Sequence, residues 1–521
     1  MALLSTSKIP PRLRLSRKTL TSGAGLIAFV ALVRLVAHLL VAGNFGYFRD
    51  ELYYIESGRH FQTGYVDFMP FIAWLAGILQ IVGDNLVVLH IITALAGAAL
   101  VVVTGLMARE MGGGRVAQGL AALGTAVMGT FLATGSFFTM DVFDELWWGL
   151  AAFVFILLVK RQNPKLWLLF GLVAGIGIFT KLTILFFGLG LVIGVLLTSR
   201  RNDFRTRWPW LGGAIAFAFL VPWLIWQVIN GWPTVEFWGN YGGFASGSPL
   251  DFLLSQLTTM NPGNLPLVIA GFIFYFRRPE GKPYRALGWL FVVLYVFFTL
   301  TRAKSYFLSP AYPILFAGGA IVLGQAFARS TARKYIGATY VTLLFASGIF
   351  LGLGLMPVLG PQTYNQYYSW LAGTSGANQT ADGAVYPQIL GDRLGWETMT
   401  ATIADAYDKL PADQRAQACI LTRNYGEASA LNFLGPKYGL PLAISGHNNY
   451  YLWGPGDCSG QALLTVGYDQ ADMLKSYDSV RQVATITCKN CQPEENNLPV
   501  YLCTRPHVSP IDAWKTVKHY N

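Results

Sequence analysis

Long apolar runs alternate with short polar stretches over the first two thirds of the chain, and the alternation stops near residue 356. The runs are about 15 to 23 residues long, which suits membrane helices and not barrel strands. They predict about eleven spans, at 22–42, 86–107, 116–134, 146–159, 166–180, 183–198, 209–228, 264–276, 286–300, 310–327 and 336–356. The apolar stretch 68–85 is interrupted by Pro70 and by Gly83-Asp84, and reads as an interfacial or re-entrant segment, not a twelfth span. Beyond 356 the chain gains Asn, Gln, Asp and Thr. Short β-type runs at 418–422, 440–444, 462–466, 480–486 and 500–503 alternate there with helix-like stretches at 399–409 and 425–434. That pattern predicts an α/β domain behind a Gly-, Thr-, Gln- and Asn-rich linker at 360–395. The expected fold is a polytopic α-helical membrane domain, 1–356, followed by a C-terminal α/β domain, 357–521.

Composition agrees with this pattern. Of 521 residues, 53% are hydrophobic and 12% charged, with a mean hydropathy of +0.43. Soluble proteins carry about 25% charge. The net charge of +11 is no sign of nucleic-acid binding, because most basic residues lie in the loops between apolar runs, where they set orientation. With a cytoplasmic N-terminus, twenty-one Lys and Arg fall in inside loops, beginning with Lys8, Arg12, Arg14, Arg17 and Lys18. Five fall outside: Arg49, Arg59, Lys181, Arg302 and Lys304. The expectation is a multi-pass protein of the plasma membrane with its C-terminal domain extracytoplasmic. The basic start leads into an apolar run without a convincing cleavage site, so it reads as a retained first helix. All five cysteines, Cys419, Cys458, Cys488, Cys491 and Cys503, fall in the C-terminal domain, which fits an oxidising compartment. Cys488-Lys489-Asn490-Cys491 with Cys458 and Cys503 lacks a paired second zinc motif. One or two disulfides, with one thiol left over, are expected there.

Candidate chemistry gathers on the outer loops. Tyr47-Phe48-Arg49-Asp50-Glu51-Leu52-Tyr53-Tyr54 sets an acidic pair directly after the first apolar run. Asp50 fits a general base that takes a proton from an attacking hydroxyl; the bland alternative is a solvated membrane-edge acid. Thr139-Met140-Asp141-Val142-Phe143-Asp144-Glu145 holds a second acidic cluster on the same side. If a helix begins near Asp141, its dipole favours these acids; the sharper reading has Asp141 facing Asp50 across one cavity. Arg302-Ala303-Lys304-Ser305-Tyr306 and Thr180-Lys181 are outward cations against the charge bias. Snorkelling at helix ends explains such cations commonly, and holding a lipid phosphate explains them here as well. His38 and His90 read as packed side chains. Gly112-Gly113-Gly114-Arg115 lacks the Walker pattern.

The loop 47–54, with Gly64-Tyr65-Val66-Asp67-Phe68-Met69-Pro70 after it, resembles the GT-C glycosyltransferases. It is most similar to the bacterial branch of the dolichyl-phosphate-mannose protein mannosyltransferase family, which includes the lipid A aminoarabinose transferases. Thr139 to Asp144, Arg302 to Phe307 with Tyr312-Pro313, and Asn424 to Ala428 with Ile444 to Asn448 and Trp453-Gly454-Pro455 extend the resemblance over nearly the whole chain. Met69-Pro70 stands where the family pattern has Pro-Pro.

The resemblance implies inverting sugar transfer from a polyprenyl-phosphate donor to a lipid, glycan or protein acceptor, among membrane lipids and without nucleic acid. It implies Asp50 as base, with Glu51 and Asp141 orienting the acceptor or stabilising charge on the sugar. Arg302 and Lys304, with Lys181 or Arg59, would hold the phosphate. Arg49, Asp144, Tyr306 and His447 would line the substrate, and the C-terminal domain would cap the cavity or bind acceptor. Some relatives use a divalent metal and others none; the acidic residues leave both open, and no metal ligand is assigned. Two rivals stand beside this reading: a transporter or lipid flippase, and a membrane-anchored binding protein whose active module is 357–521.

Overall fold

The structure is a computed structural model that describes residues 22–83, 85–241, 247–375, 386–488 and 490–521. The basic residues Lys8 to Lys18, Asp84, Lys489 and part of the expected linker, 376–385, lie outside the described residues.

Helices form wherever the sequence shows an apolar run. The 166–180 run is the helix Leu166–Thr180, the 209–228 run is Trp208–Ile229, and the 86–107 run extends to Leu86–Glu110. Two runs differ in kind. The 116–134 run breaks into Arg115–Ala126 and Gly129–Thr134, and the 146–159 run starts earlier, as Met140–Arg161, which draws the acidic cluster into the helix.

Among the described residues, six helices are long and apolar enough to cross a membrane, or up to seven if the bent pair Ile184–Leu196 and Ser199–Arg205 is one span. The expected count of about eleven includes shorter apolar helices that fall below this length. Gly23–Leu39 and Leu166–Thr180, with 17 and 15 residues, reach about 26 and 23 Å at 1.5 Å per residue, short of a core of about 30 Å. Within 68–85 lies a ten-residue apolar helix, Phe71–Gln80.

Phe71–Gln80 packs on the polar-loop helix Arg49–Arg59 at backbone contact. A Cβ on Gly58 would lie 2.6 Å from the Gly77 nitrogen, so glycine at both positions lets the two helices touch.

The C-terminal part is built on a five-stranded sheet: β1 (Ala418–Thr422), β2 (Ala443–Ser445), β3 (Ala462–Val466), β4 (Tyr477–Ile486) and β5 (Leu498–Pro506), in the order β2-β1-β3-β5-β4. β1 runs parallel to β2 and β3, while β5 is antiparallel to β3 and β4. A parallel pair needs a crossover, and the helix Tyr425–Leu434 supplies the one from β1 to β2. Its N-terminus is fixed by a capping box between Asn424 and Glu427. Cys419 in β1 is bonded to Cys458, with a Cα–Cα distance of 5.7 Å, and Cys488, Cys491 and Cys503 are buried free thiols. One disulfide forms, as expected, but it takes Cys419, which β1 carries to Cys458, and three thiols are left over where one was expected.

One apolar core joins the two parts. Leu52, Tyr53, Tyr65 and Phe68 pack with Ala428, Leu431 and Tyr450 in a single buried cluster. The Arg49–Arg59 helix is thereby held between the membrane helices and the sheet.

Candidate active site

The two acids of the polar-loop pair point to different surroundings. Glu51 is fully buried. It accepts hydrogen bonds from the Phe48 N–H at 2.8 Å, the His90 ring at 2.8 Å and the Phe138 N–H at 2.5 Å. These contacts tie the start of the helix to Leu86–Glu110 and to the segment before Met140–Arg161, and they engage both carboxylate oxygens.

Asp50 faces the sheet domain. Its Oδ1 accepts a hydrogen bond from the Tyr425 hydroxyl at 2.9 Å. Burial pushes its carboxyl above the usual range; Arg49 and the Tyr425 hydroxyl pull it back, and Asp141 and Glu51 push it further up. Asp50 and Asp141 thus lie in each other's field.

Asp141 accepts from Lys181 Nζ at 2.5 Å and from the Thr139 hydroxyl at 3.0 Å. One turn on, Asp144 accepts from Trp148 Nε1 at 3.1 Å and from the Thr183 hydroxyl at 2.6 Å. Lys181 follows the last residue of Leu166–Thr180 in extended backbone. Its ammonium lies 5.3 Å above the Tyr306 ring and 5.8 Å above Phe307. Asp141, Asp144, Glu145, Lys181, Thr183 and Tyr306 line one small cleft.

The other sequence candidates are not among the residues that line this cleft. Lys304 donates to the Tyr241 hydroxyl at 2.8 Å. Arg302 is exposed, in left-handed backbone at φ 53°. Arg59 pairs with Glu56 at 3.1 Å, at the far end of the Arg49–Arg59 helix. Arg49 pairs with the Asp392 carboxylate at 3.3 Å, and its N–H donates to the Asp392 carbonyl at 2.9 Å, which clamps the first turn. His447 faces the Asn521 carbonyl with Nε2 at 3.0 Å and the Tyr425 N–H with Nδ1 at 3.4 Å. Burial pushes its ring down to about 3, so it is neutral and supports Tyr425.

The sequence reading assigned no role to Tyr425 or Asp67. Tyr425 stacks on Tyr53 at 4.3 Å. Tyr53 in turn donates to Asp67 Oδ1 at 3.1 Å, and Asn448 donates to Asp67 Oδ2 at 3.1 Å. Tyr425 opens the helix behind the Asn424–Glu427 capping box, and Asp67 lies in the Gly64–Pro70 motif; both motifs were visible, their meeting was not.

Tyr425→Phe is expected to keep the ring stack and lose the hydrogen bond that lowers the Asp50 pKa. The rate falls, and the acid limb of the pH–rate profile moves to higher pH. A slower enzyme with an unmoved limb would refute this link.

Asp67 is raised to about 7, first by burial and then by Asp50. Its folded pKa lies above the usual value of about 3.9, so the stability tied to its proton is full below that value and is lost as pH rises through about 7. Asp67→Asn is expected to flatten the decline in melting temperature between about pH 4 and 7. An unchanged decline would clear Asp67.

Among the described residues, no three His, Cys, Asp or Glu side chains are grouped to hold a metal ion.

The sequence model of the dolichyl-phosphate-mannose-protein mannosyltransferase family matches residues 67–226. This stretch includes Asp67, Asp141, Asp144 and Lys181, and stops short of Asp50. No curated protein sequence matches the chain. The structure is similar to that of ArnT from Cupriavidus metallidurans in the apo state, with a TM-score of 0.60 and 17% identity over 92% of this chain and 98% of that one. It is similar to the same protein bound to undecaprenyl phosphate, with a TM-score of 0.59 and 16% identity over 92% and 98%. The chain is a multi-pass membrane protein that shares the fold of ArnT over nearly its whole course, and its residues 67–226 match the dolichyl-phosphate-mannose-protein mannosyltransferase model.

Proposed function

We propose that this protein moves a sugar from a polyprenyl-phosphate donor to an acceptor hydroxyl, with inversion, at the non-cytoplasmic face. The observation that carries the reading is Asp50. It is a half-buried carboxylate with a raised pKa, anchored at one oxygen by Tyr425, in the field of Asp141, whose partner is Lys181.

The acceptor oxygen attacks the anomeric carbon while the bond from that carbon to the phosphate oxygen breaks. Asp50 takes the hydroxyl proton, and the lipid phosphate leaves with the electron pair. A base with its own anchor keeps its free oxygen aimed at the acceptor. Lys181 turns from Asp141 toward the leaving phosphate, where charge develops. Lys304 adds a second cation on the phosphate side. Asp141, relieved of Lys181, stabilises positive charge on the sugar ring. Arg59 and Arg302 take no part in this scheme, and Glu51 holds the loop in place.

The membrane part, 1–356, supplies the donor side, and the part 357–521 closes over Asp50. The charge bias of the loops supports an N-terminus in the cytoplasm and a sheet domain on the other face. A ligand such as the undecaprenyl phosphate of the ArnT complex fits a site of cations at the edge of apolar helices. The transporter and flippase reading gains no support from a family segment and a fold that both belong to glycosyltransferases.

The test is release of free polyprenyl phosphate from a panel of polyprenyl-phosphate sugars by the protein in lipid. Slow release without acceptor, faster with it, is expected. No release from any donor, with lipid extract supplied as acceptor, would end the reading.

A further inference from the structure

Cys488 and Cys491 take no part in the proposed transfer, yet the structure brings their sulfurs to one place. Both residues are buried, at 9% and 6% exposure. Gly395, at φ 100°, faces them with a bare Cα: a Cβ there would lie 2.8 Å from Cys488 Sγ and 3.6 Å from Cys491 Sγ. Cys491 Sγ lies 3.2 Å from the Cys488 carbonyl oxygen, and the Cys488 N–H donates to Asn496 at 2.8 Å. A hydrogen bond from the Cys491 thiol holds Cys488 below the usual thiol range, and the same bond holds Cys491 above it. Thiolate at one sulfur, with a second thiol beside it, is the arrangement that exchanges disulfides. The same domain holds one disulfide, Cys419–Cys458.

We propose that Cys488 and Cys491 are a redox-active dithiol that closes to a second disulfide by exchange with an oxidised dithiol protein or a small disulfide. The Cys488 thiolate attacks one sulfur of the incoming disulfide, and the other sulfur leaves as a thiolate. Cys491 then gives up its proton and attacks Cys488, and the co-reactant's remaining sulfur leaves. The two cysteines lose two electrons and two protons, which the co-reactant gains. A bond across two intervening residues constrains the unfolded chain little, whereas Cys419–Cys458 closes a separation of 39. The second disulfide therefore reopens under milder reduction than the first.

Its position gives it leverage. Gly395 follows Asp392 and Arg393; Asp392 clamps Arg49, and Arg393 donates to the Ser136 carbonyl at 3.1 Å. Glu495, four residues past Cys491, accepts from Asn424 at 3.0 Å, at the cap of the helix that presents Tyr425. Both supports of Asp50 flank the thiol pair.

The experiment equilibrates the full-length protein in glutathione buffers of graded oxidised-to-reduced ratio and quenches with acid. Free thiols are then alkylated with a light reagent and, after full reduction, the rest with a heavy one, and peptides are mapped by mass. Cys488 and Cys491 are expected to pass together from light to heavy label, at a more oxidising ratio than Cys419 and Cys458, while Cys503 stays light throughout. In Cys491→Ser, Cys488 is expected to carry a trapped glutathione. Light label on both residues in the most oxidising buffer, or no adduct in Cys491→Ser, would overturn the proposal. No sugar donor enters the measurement, so its outcome is independent of the transfer reading.

Discussion

Asp50→Asn is expected to reduce transfer by about 10²- to 10⁴-fold, the usual worth of a positioned general base, in a protein that folds and binds donor. The substitution is nearly isosteric. The amide that replaces the carboxylate keeps a side-chain oxygen to accept from the Tyr425 hydroxyl, as Asp50 does at 2.9 Å, so the anchor survives while the base is lost. The wild-type rate should rise with pH as Asp50 ionises. Because burial holds its carboxyl above the usual range, that limb should lie at higher pH than an exposed aspartate would give. The measurement is polyprenyl phosphate release across pH, beside thermal melting of both proteins. Retained turnover in a well-folded Asp50→Asn protein would remove Asp50 as the base.

Lys181→Met is expected to cost about 10²- to 10³-fold in rate, the typical loss when one donor to a developing anion is removed. It also leaves Asp141 without its cation. Breaking a fully buried pair costs about 3 to 5 kcal/mol, and this pair, with side chains 16% and 24% exposed, should cost less. Two effects are therefore mixed in the single variant. Adding Asp141→Asn removes the stranded charge, so the double variant should regain melting temperature but not donor affinity. If the double variant also regained turnover, Lys181 would serve only to neutralise Asp141, and the phosphate would be held elsewhere.

Local patterns in the sequence were legible where one element decides them. β1, β3 and the Tyr425–Leu434 helix fall where the periodicity puts them, because each has a clear apolar pattern between turn or cap residues. The number of spans was not legible. An apolar run of fifteen residues looks like a short crossing, and the break of the 116–134 run near Val127 has no Pro to announce it.

At the proposed site, Asp50, Asp141, Asp144 and Lys181 stand out in the sequence because acids and cations are conspicuous among apolar residues, and Tyr306 lies in a basic-aromatic motif. Glu51 was equally conspicuous, but only the fold shows that three donors occupy it. Tyr425 and Asp67 were hidden for the opposite reason. A tyrosine beside a capping box and an aspartate in a loop are ordinary until two distant segments meet.

The Tyr425 to Asp50 hydrogen bond joins residues 375 apart in sequence. At synthesis rates of about 5 to 20 residues per second, the ribosome needs roughly 20 to 75 seconds to travel from one to the other. Throughout that interval the helix that bears the base is already made, while its anchor and the apolar cover from Ala428, Leu431 and Tyr450 do not yet exist. With Asp50 as the proposed base, the nascent chain lacks that base's anchor until its sheet has docked. On that proposal activity waits for the end of translation, and a truncated product would leave Leu52 and Tyr53 without the cover of Ala428, Leu431 and Tyr450.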